Sequence, residues 1–300
     1  MNIKPFYKSV DKDFTLIHGD CRQLLKEFDF EFDMIFADPP YFLSNGGISI
    51  QSGEIVSVDK GDWDKSNGIE ADSIFNREWI AECRQHLKDN GTIWISGTYH
   101  NIFSVANCLT DLGFKILNVI TWQKTNPPQN ISCRFFTHST EFIIWARKKA
   151  KVPHYFNYKF MKELNGNHQM TDVWRLPAIA PWEKSCTKHP TQKPLALLTR
   201  IIQASTEERA WILDPLAGSS TTGIAANLLN RRYLGIEREE VFLEISKARK
   251  QEIENPARAK EYIRKIMRVN EKGRVLSKET PSSLAYANDE VTQYDRELPF

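Results

Sequence analysis

Long apolar runs are missing from this chain. None approaches the roughly 18 residues that cross a bilayer, so no transmembrane helix is expected. The opening "MNIKPFYKSV" has no apolar stretch behind its lysines, and no secretory leader is expected. Cysteine is scarce and scattered: Cys21, Cys83, Cys108, Cys133 and Cys186 never fall as C-x-x-C. That spacing excludes a zinc ribbon or disulfide frame, predicts no metal site, and fits a reducing cytoplasm. The dinucleotide fingerprint G-x-G-x-x-G is also absent.

Net charge is small as well, +2 over 300 residues, but the balance conceals an asymmetry. Residues 1–120 carry 11 Lys/Arg against 18 Asp/Glu, whereas residues 121–200 carry 13 against 4. A basic middle in a near-neutral chain suggests contact with a polyanion, or else a solvated basic face.

Periodicity alternates between strand and helix. Apolar strands are expected at 14–20, 32–39, 92–96, 115–124, 140–149, 211–215 and 233–237. Helices are expected at 21–28, 75–91 with Gly91 as the stop, 101–113, 193–206 with Pro194 in the first turn, 219–230 and 240–268. Residues 42–75 read as a long loop and 150–187 as an irregular basic insertion. The last residues read as a disordered tail from 269 to 300. This alternation predicts an α/β domain over 1–268: a doubly wound, mostly parallel sheet covered on both faces.

Two stretches carry chemistry. In "FADPPYFLSNGG" (36–47), a strand runs into Asp38 and then two prolines. Proline lacks an N–H and holds its predecessor extended, so the Asp38 carboxylate and the Asp38 and Pro39 carbonyls stay available as acceptors. With the flat ring of Tyr41 they describe a clamp for a planar base bearing an exocyclic amine. A strand-ending turn is the alternative. In "WILDPLAGSSTTGIAANLLNRRYLGIE" (211–237), a strand ends in Asp214, a small-residue turn opens a helix, and the next strand ends in Glu237. Small residues let a ligand approach the backbone, a helix N-terminus favours an anion, and an acid at the second strand end accepts from ribose hydroxyls. Such a turn can also merely connect.

DPPY, "DPLAGSSTTG", "GIE" and "KHPTQKP" (188–194) together resemble the S-adenosylmethionine-dependent DNA amino-methyltransferases, in the permuted order of the β-group. Asp before Pro-Pro-Tyr points to adenine N6; the cytosine N4 enzymes usually carry Ser. "VSVDKGDWDK" and "ITWQKTNPPQN" bring the chain closest to the DpnA-type enzymes, second methyltransferases of DpnII-like restriction systems that act at GATC. The likeness covers about 10–250.

The resemblance implies a Rossmann-like methyltransferase fold, with target recognition in 150–187, and methyl transfer to a flipped-out adenine in double- or single-stranded DNA. Asp38, Pro39, Pro40 and Tyr41 form the catalytic set. Leu216, Gly218, Ser219, Ser220 and Thr221 line the methionine end of S-adenosylmethionine. Glu237 takes its ribose, and Asp20 with Cys21 takes its adenine; Asp20 also reads as a helix cap. Lys193 belongs to the remaining cofactor-pocket motif, while His189 reads as structural. Lys124, Arg134, Arg147, Lys148, Lys149, Lys151, Lys159 and Arg175 are expected phosphate contacts, with Tyr155, Tyr158 and Trp174 in the recognition region. DNA is the expected partner, with no membrane contact; a homodimer and functional pairing with a restriction endonuclease go with the family. Where relatives usually carry Gly, Phe and Gly, this chain has Ser220, Leu216 and Asn230. A positive φ at Ser220 costs about 1 kcal/mol, and Asn230 tolerates the left-handed conformation. Two competitors stand: methylation of an amino group in RNA or protein, and a DNA-binding homologue weakened in catalysis.

Overall fold

A computed structural model describes residues 3–42, 48–51, 54–57, 64–130, 133–184 and 192–272. In chain order its strands are β1 (Tyr7–Lys8), β2 (Phe14–His18), β3 (Phe32–Ala37), β4 (Ile48–Gln51), β5 (Glu54–Ser57), β6 (Leu87–Gly97), β7 (Lys115–Lys124), β8 (Thr140–Arg147), β9 (Val173–Leu176), β10 (Trp211–Asp214) and β11 (Arg232–Glu237). Its helices are α1 (Cys21–Leu24), α2 (Ile69–Gln85), α3 (Ile102–Asp111), α4 (Tyr158–Leu164), α5 (Leu195–Ser205), α6 (Thr221–Leu228), α7 (Glu240–Glu254) and α8 (Pro256–Lys272).

Nine strands form one sheet in the order β1-β2-β11-β10-β3-β6-β8-β7-β9. Strands β2, β11, β10, β3 and β6 run parallel, and β8 enters antiparallel between β6 and β7. The order reverses between β10 and β3: β11 follows β10 on one side and β6 follows β3 on the other. A crevice forms outside the carboxyl ends at such a switch point, and ligands bind there. Asp38 and Asp214 are carried to it by two neighbouring strands.

Both faces are covered, as the largely apolar β3 and β10 require. One core joins Phe14, Trp94 and Tyr233 to α5, α6, α7 and α8, with Trp94 stacked on Trp145 at 4.7 Å. The other joins Leu25, Ile35 and Ile93 to α2 and α3. At Gly223 a Cβ would lie 2.5 Å from the Tyr233 ring and 2.6 Å from Phe14, so glycine sets how closely α6 approaches the sheet.

Four sequence expectations need correction. Gly91 does not stop a helix: α2 ends at Gln85 and β6 runs through Gly91, because Leu87 already pairs with Phe32. The expected loop at 42–75 holds the β4–β5 hairpin and the start of α2. The insertion at 150–187 is not wholly irregular, since it contributes α4 and also β9, which pairs parallel to β7 at the sheet edge. The single helix expected at 240–268 is two helices. Pro256 opens α8, Asn255 caps it by accepting from the Ala257 N–H at 2.9 Å, and the helix continues past 268 to Lys272. The turn at Ser44–Gly47, Cys186, His189 with the rest of 188–191, and residues 273–300 of the expected tail lie outside the described residues.

Candidate functional site

One cavity of about 570 Å³ opens at the switch point. Its wall combines Asp38, Pro39, Pro40 and Tyr41 with Asp20, Cys21, Lys193, Leu216, Gly218, Ser219, Thr221 and Glu237. Twelve residues singled out from the sequence thus meet in one place, drawn from both ends of the chain.

Asp38 leaves β3 and is held from three directions. Its Oδ1 accepts from the Tyr41 hydroxyl at 2.8 Å and from Ser96 Oγ at 2.5 Å; its Oδ2 accepts from Lys193 Nζ at 2.6 Å. Burial pushes the Asp38 carboxyl up, but the Lys193 charge and these hydrogen bonds outweigh it and hold the group below the usual carboxylate range. No described residue donates to the Pro39 carbonyl, whereas Asn101 Nδ2 donates to the Pro40 carbonyl at 3.4 Å. Tyr41 is buried, with Lys193 Nζ 5.1 Å from its ring centre. Its backbone N–H and that of Phe42 both donate to Asp64 Oδ1, at 2.8 and 3.0 Å. The wholly buried Asp64 carboxylate therefore fixes the exit of the turn, where Phe42 sits at φ 57°.

Sequence resemblance places Lys193 on the cofactor. It does reach the shared cavity, but its ammonium is committed to Asp38, with Glu141 Oε2 3.7 Å away. Burial pulls the Lys193 pKa down, and the charges of Asp38 and Glu141 more than restore it. Glu141 in turn pairs with Lys124 at 2.5 Å. Two carboxylates and two ammonium groups thus share a largely dry pocket, which satisfies the rule that buried charges occur paired. Lys124 is therefore a member of this network rather than a free phosphate contact.

The second turn is built differently. Ser220 adopts φ 53°, ψ 41°, the left-handed conformation anticipated for that position, and caps α6. It is fully buried and is not part of the cavity wall; it shapes the turn behind Gly218 and Ser219. Its hydroxyl has no hydrogen-bond partner within bonding geometry. Asn230 is left-handed too, at φ 61°. From α7, Arg249 Nη1 donates to the Ser219 carbonyl at 2.6 Å and to Thr221 Oγ1 at 2.9 Å, and Ser246 Oγ donates to the Gly218 carbonyl at 3.1 Å. Glu237 Oε2 accepts from the Gly218 N–H at 2.7 Å, and its Oε1 from the N–H groups of Arg238 and Glu239 at 2.8 Å each. Three of the four lone-pair positions of that carboxylate are used, which leaves one acceptor at the cavity.

Asp20 does what the cap reading required, accepting from the Arg22 N–H at 2.9 Å, and its carboxylate also pairs with the Arg22 guanidinium at 2.7 Å. Those Arg22 hydrogen bonds hold the Asp20 pKa down. The Cys21 thiol is pushed up to about 12 by burial and by Asp20, so it stays protonated. Asp214, which the sequence marks only as a strand end, lines the cavity too. Burial, with like charges at Asp38 and Glu237, raises its pKa to about 7 against donors from Thr222 and Leu216.

The basic residues divide. Arg134 and Arg175 are exposed. Arg175 faces Gln123 in register, at the end of β7 that bears Lys124. Arg147, Lys148 and Lys149 lie at the far end of the sheet, because β8 runs antiparallel: Phe142 pairs with Gly97, but Arg147 pairs with Thr92. Lys148 is buried and donates to the Leu87 carbonyl, Arg147 donates to the Val152 and Ala150 carbonyls, and Lys149 pairs with Asp89 at 2.6 Å. Lys151 follows them there. Lys159 sits on α4, whose preceding Asn157 N–H donates to the Ala204 carbonyl at the end of α5 away from Lys193. Trp174, placed by the resemblance in the recognition region, is buried against Trp94 at 6.2 Å and belongs to the core, whereas Tyr155 is half-buried and Tyr158 exposed.

Sequence reasoning missed Ser96, Glu141, Asp64, Asp214, Ser246 and Arg249. Arg249 carried a faint signal as an arginine in register with the apolar Leu243 and Ile253 on α7. The signal for Asp64 lay in "GDWDK", a motif quoted for its likeness but given no role. Among the described residues no helix is long and apolar enough to cross a membrane.

The DNA methylase family profile matches residues 32–248. The chain is 58 % identical over 267 residues to the Type II methyltransferase M2.MboI of Moraxella bovis, covering 89 % of this chain and 97 % of that one. It is 56 % identical over 248 residues to the Type II methyltransferase M2.DpnII of Streptococcus pneumoniae, covering 82 % and 92 %. Among solved structures it is similar to M1.HpyAVI in complex with SAM, at 30 % identity and TM-score 0.61 over 79 % of this chain and 98 % of that one. The cytosine-N4-specific PvuII DNA methyltransferase shares the fold at TM-score 0.66 and 16 % identity, covering 89 % and 96 %.

Proposed function

This chain belongs to the DNA methylase family, and we propose that it methylates N6 of adenine within GATC as the modification partner of a restriction endonuclease. One observation carries the reading: the acceptor cluster at Asp38 and the turn at Gly218 open into a single cavity, so a methyl donor and an amine fit side by side. The likeness to M2.DpnII supports the site, and Asp rather than Ser before Pro-Pro-Tyr supports adenine.

The cavity's chemistry suits S-adenosylmethionine. Its volume falls in the range of about 300–1,000 Å³ typical of small-ligand sites. Glu237 offers its remaining acceptor to a ribose, and the acidic wall at Asp214, Asp38 and Glu237 favours a cationic centre. When bound, that group would supply a methyl on a sulfonium; an amine taking it in line would release the neutral thioether, and the methylated nitrogen would give up one proton to solvent.

The protein's part is positioning. An aromatic amine is a poor nucleophile because its lone pair is delocalised into the ring. Asp38 has one lone-pair position left beyond Tyr41, Ser96 and Lys193, and the Pro39 carbonyl offers another. One N–H to each acceptor favours a pyramidal nitrogen and fixes its direction of attack. Asp38, held below the usual range, stays ionised and accepts a hydrogen bond throughout. The Tyr41 ring stacks on the extruded base. No thiolate nucleophile is needed, and the protonated Cys21 offers none.

Labelled S-adenosylmethionine with GATC and scrambled oligonucleotides, each single- and double-stranded, tests this reading. Label in GATC DNA that a nuclease specific for methylated GATC then cuts supports base and site together. Label in scrambled DNA overturns the site alone, and label on cytosine overturns the adenine assignment.

A further inference from the structure

The catalytic turn is flanked by rings that face outward. β6 delivers Ser96 to Asp38, and four residues after Gly97 Asn101 reaches the Pro40 carbonyl. Between them stand Tyr99 and His100, with ring centres 3.8 Å apart. On the other side, the β7–β8 connection is closed at its base by the Lys124 N–H donating to the Ser139 carbonyl at 2.8 Å. It sends His138 onto Tyr99, stacked at 5.1 Å and 22°, and Phe135 against His138 at 5.3 Å. Burial and His138 lower the His100 pKa, so its ring is neutral at pH 7 and the stack keeps an aromatic face.

Tyr99 is 49 % exposed, Phe135 57 % and Phe136 95 %. A contiguous group of rings on a surface marks an interaction site. Exposed Arg134 precedes Phe135 and Phe136 in sequence, and Arg175 lies at the same end of the sheet. Flat rings interleaved with guanidinium groups suit bases and phosphates together, the combination by which nucleic-acid strands are gripped. Position narrows the role further. Phe136 is five residues from Glu141, whose carboxylate is 3.4 Å from the Tyr41 hydroxyl. Even fully extended chain limits that span to roughly 18 Å. An adenine turned into the cavity leaves its former stacking neighbours at the same mouth.

We infer that Phe136, which follows the last ring of the Phe135–His138–Tyr99–His100 group in the chain and projects into solvent, inserts into the duplex and takes the stacking place that the extruded adenine leaves. Apolar wedges of this kind unstack base steps in other DNA complexes. The inference rests on the adenine methyltransferase reading of the cavity. Phe136 touches no cofactor-site residue, so its truncation leaves cofactor binding unchanged.

The test compares the full chain with Phe136→Ala and Phe136→Trp in single-turnover methyl transfer. One GATC duplex has the target adenine paired and a second has it opposite an abasic site; 2-aminopurine at the target position reports extrusion. F136A is expected to slow the paired duplex roughly 10- to 100-fold, with most of the 2-aminopurine signal lost. The duplex with the abasic site, where the base is already unpaired, changes less than about threefold, and F136W restores the paired rate. Equal slowing of both duplexes, or none of either, overturns the wedge. Wild-type protein that labels neither duplex overturns the methyltransferase reading and the wedge with it, an outcome distinct from either.

Discussion

Neighbouring strands β3 and β10 each lead into an aspartate followed by proline, Asp214 at the end of β10 and Asp38 just past the end of β3, yet the two carboxylates are treated in opposite ways. Asp38 has a buried lysine, a serine and a tyrosine aimed at it and is held ionised. No described cation pairs with Asp214; it accepts from Thr222 and the Leu216 N–H and has a pKa of about 7. The fold fixes where the carboxylates stand, and the side chains facing them decide what each can do. On the proposed reading Asp38 is a standing acceptor for an amine, whereas Asp214 would gain its ionised form from a cationic ligand.

The comparison breaks most sharply at Asp38. Asp38→Ala should lower kcat on the order of 10³-fold in methyl-transfer assays, because it removes the preorganised acceptor while cofactor binding by calorimetry survives. Comparable kcat in the variant would mean that the amine is held elsewhere. Lys193→Met makes Asp38 resemble Asp214. Loss of the cation should move the acid limb of the kcat/KM pH profile upward, since Asp38 must be ionised and its proton would then leave at higher pH. Stability should fall by roughly 3–5 kcal/mol, the usual consequence of leaving buried carboxylates unpaired, measured by denaturant unfolding.

Asp214 sharpens the contrast from the other side. A cationic ligand favours its ionised form, so cofactor affinity should rise with pH through about 7 and level off above it, with a proton released at lower pH. Calorimetry in buffers of different ionisation heat reads that proton directly, and Asp214→Asn should flatten the profile. The smallest expected effect is at Ser220. Glycine there relieves a left-handed φ, and should stabilise by about 1 kcal/mol, a rise of about 2–4 °C in Tm. An unchanged or lower Tm would show that the Ser220 side chain packs usefully in its pocket.

What the sequence discloses follows from the range of each interaction. β3, β10 and β11 are legible because strands buried on both faces need largely apolar runs, and the acids at their ends stand out against those runs. Ser220 is legible because a tight turn constrains φ locally. β9 is hidden: four residues, V-W-R-L, alternate as a strand should, but four positions cannot be separated from chance, so nothing in the sequence marks Trp174 as part of the core. Gly91 misleads because helix stops and irregular strands use the same residue. The Lys193–Asp38–Glu141–Lys124 chain is invisible in sequence, because its members come from four elements that only the sheet order brings together. The basic middle segment is real, but the reversal of β8 sends half of it to the wrong end for a substrate at Asp38.

The edge of the sheet has one further consequence. β11, the last strand made, pairs with β2, among the first, matching Tyr233 to Phe14 across most of the chain. Asp20 and Glu237 face the same cavity only once that pairing closes. During synthesis the ribosome releases the catalytic turn early, but the methyl-donor half is still untranslated. Contacts of such long sequence separation form late and slowly. The cavity is therefore incomplete until β11 docks against β2, and methyl transfer is expected to begin only with that pairing.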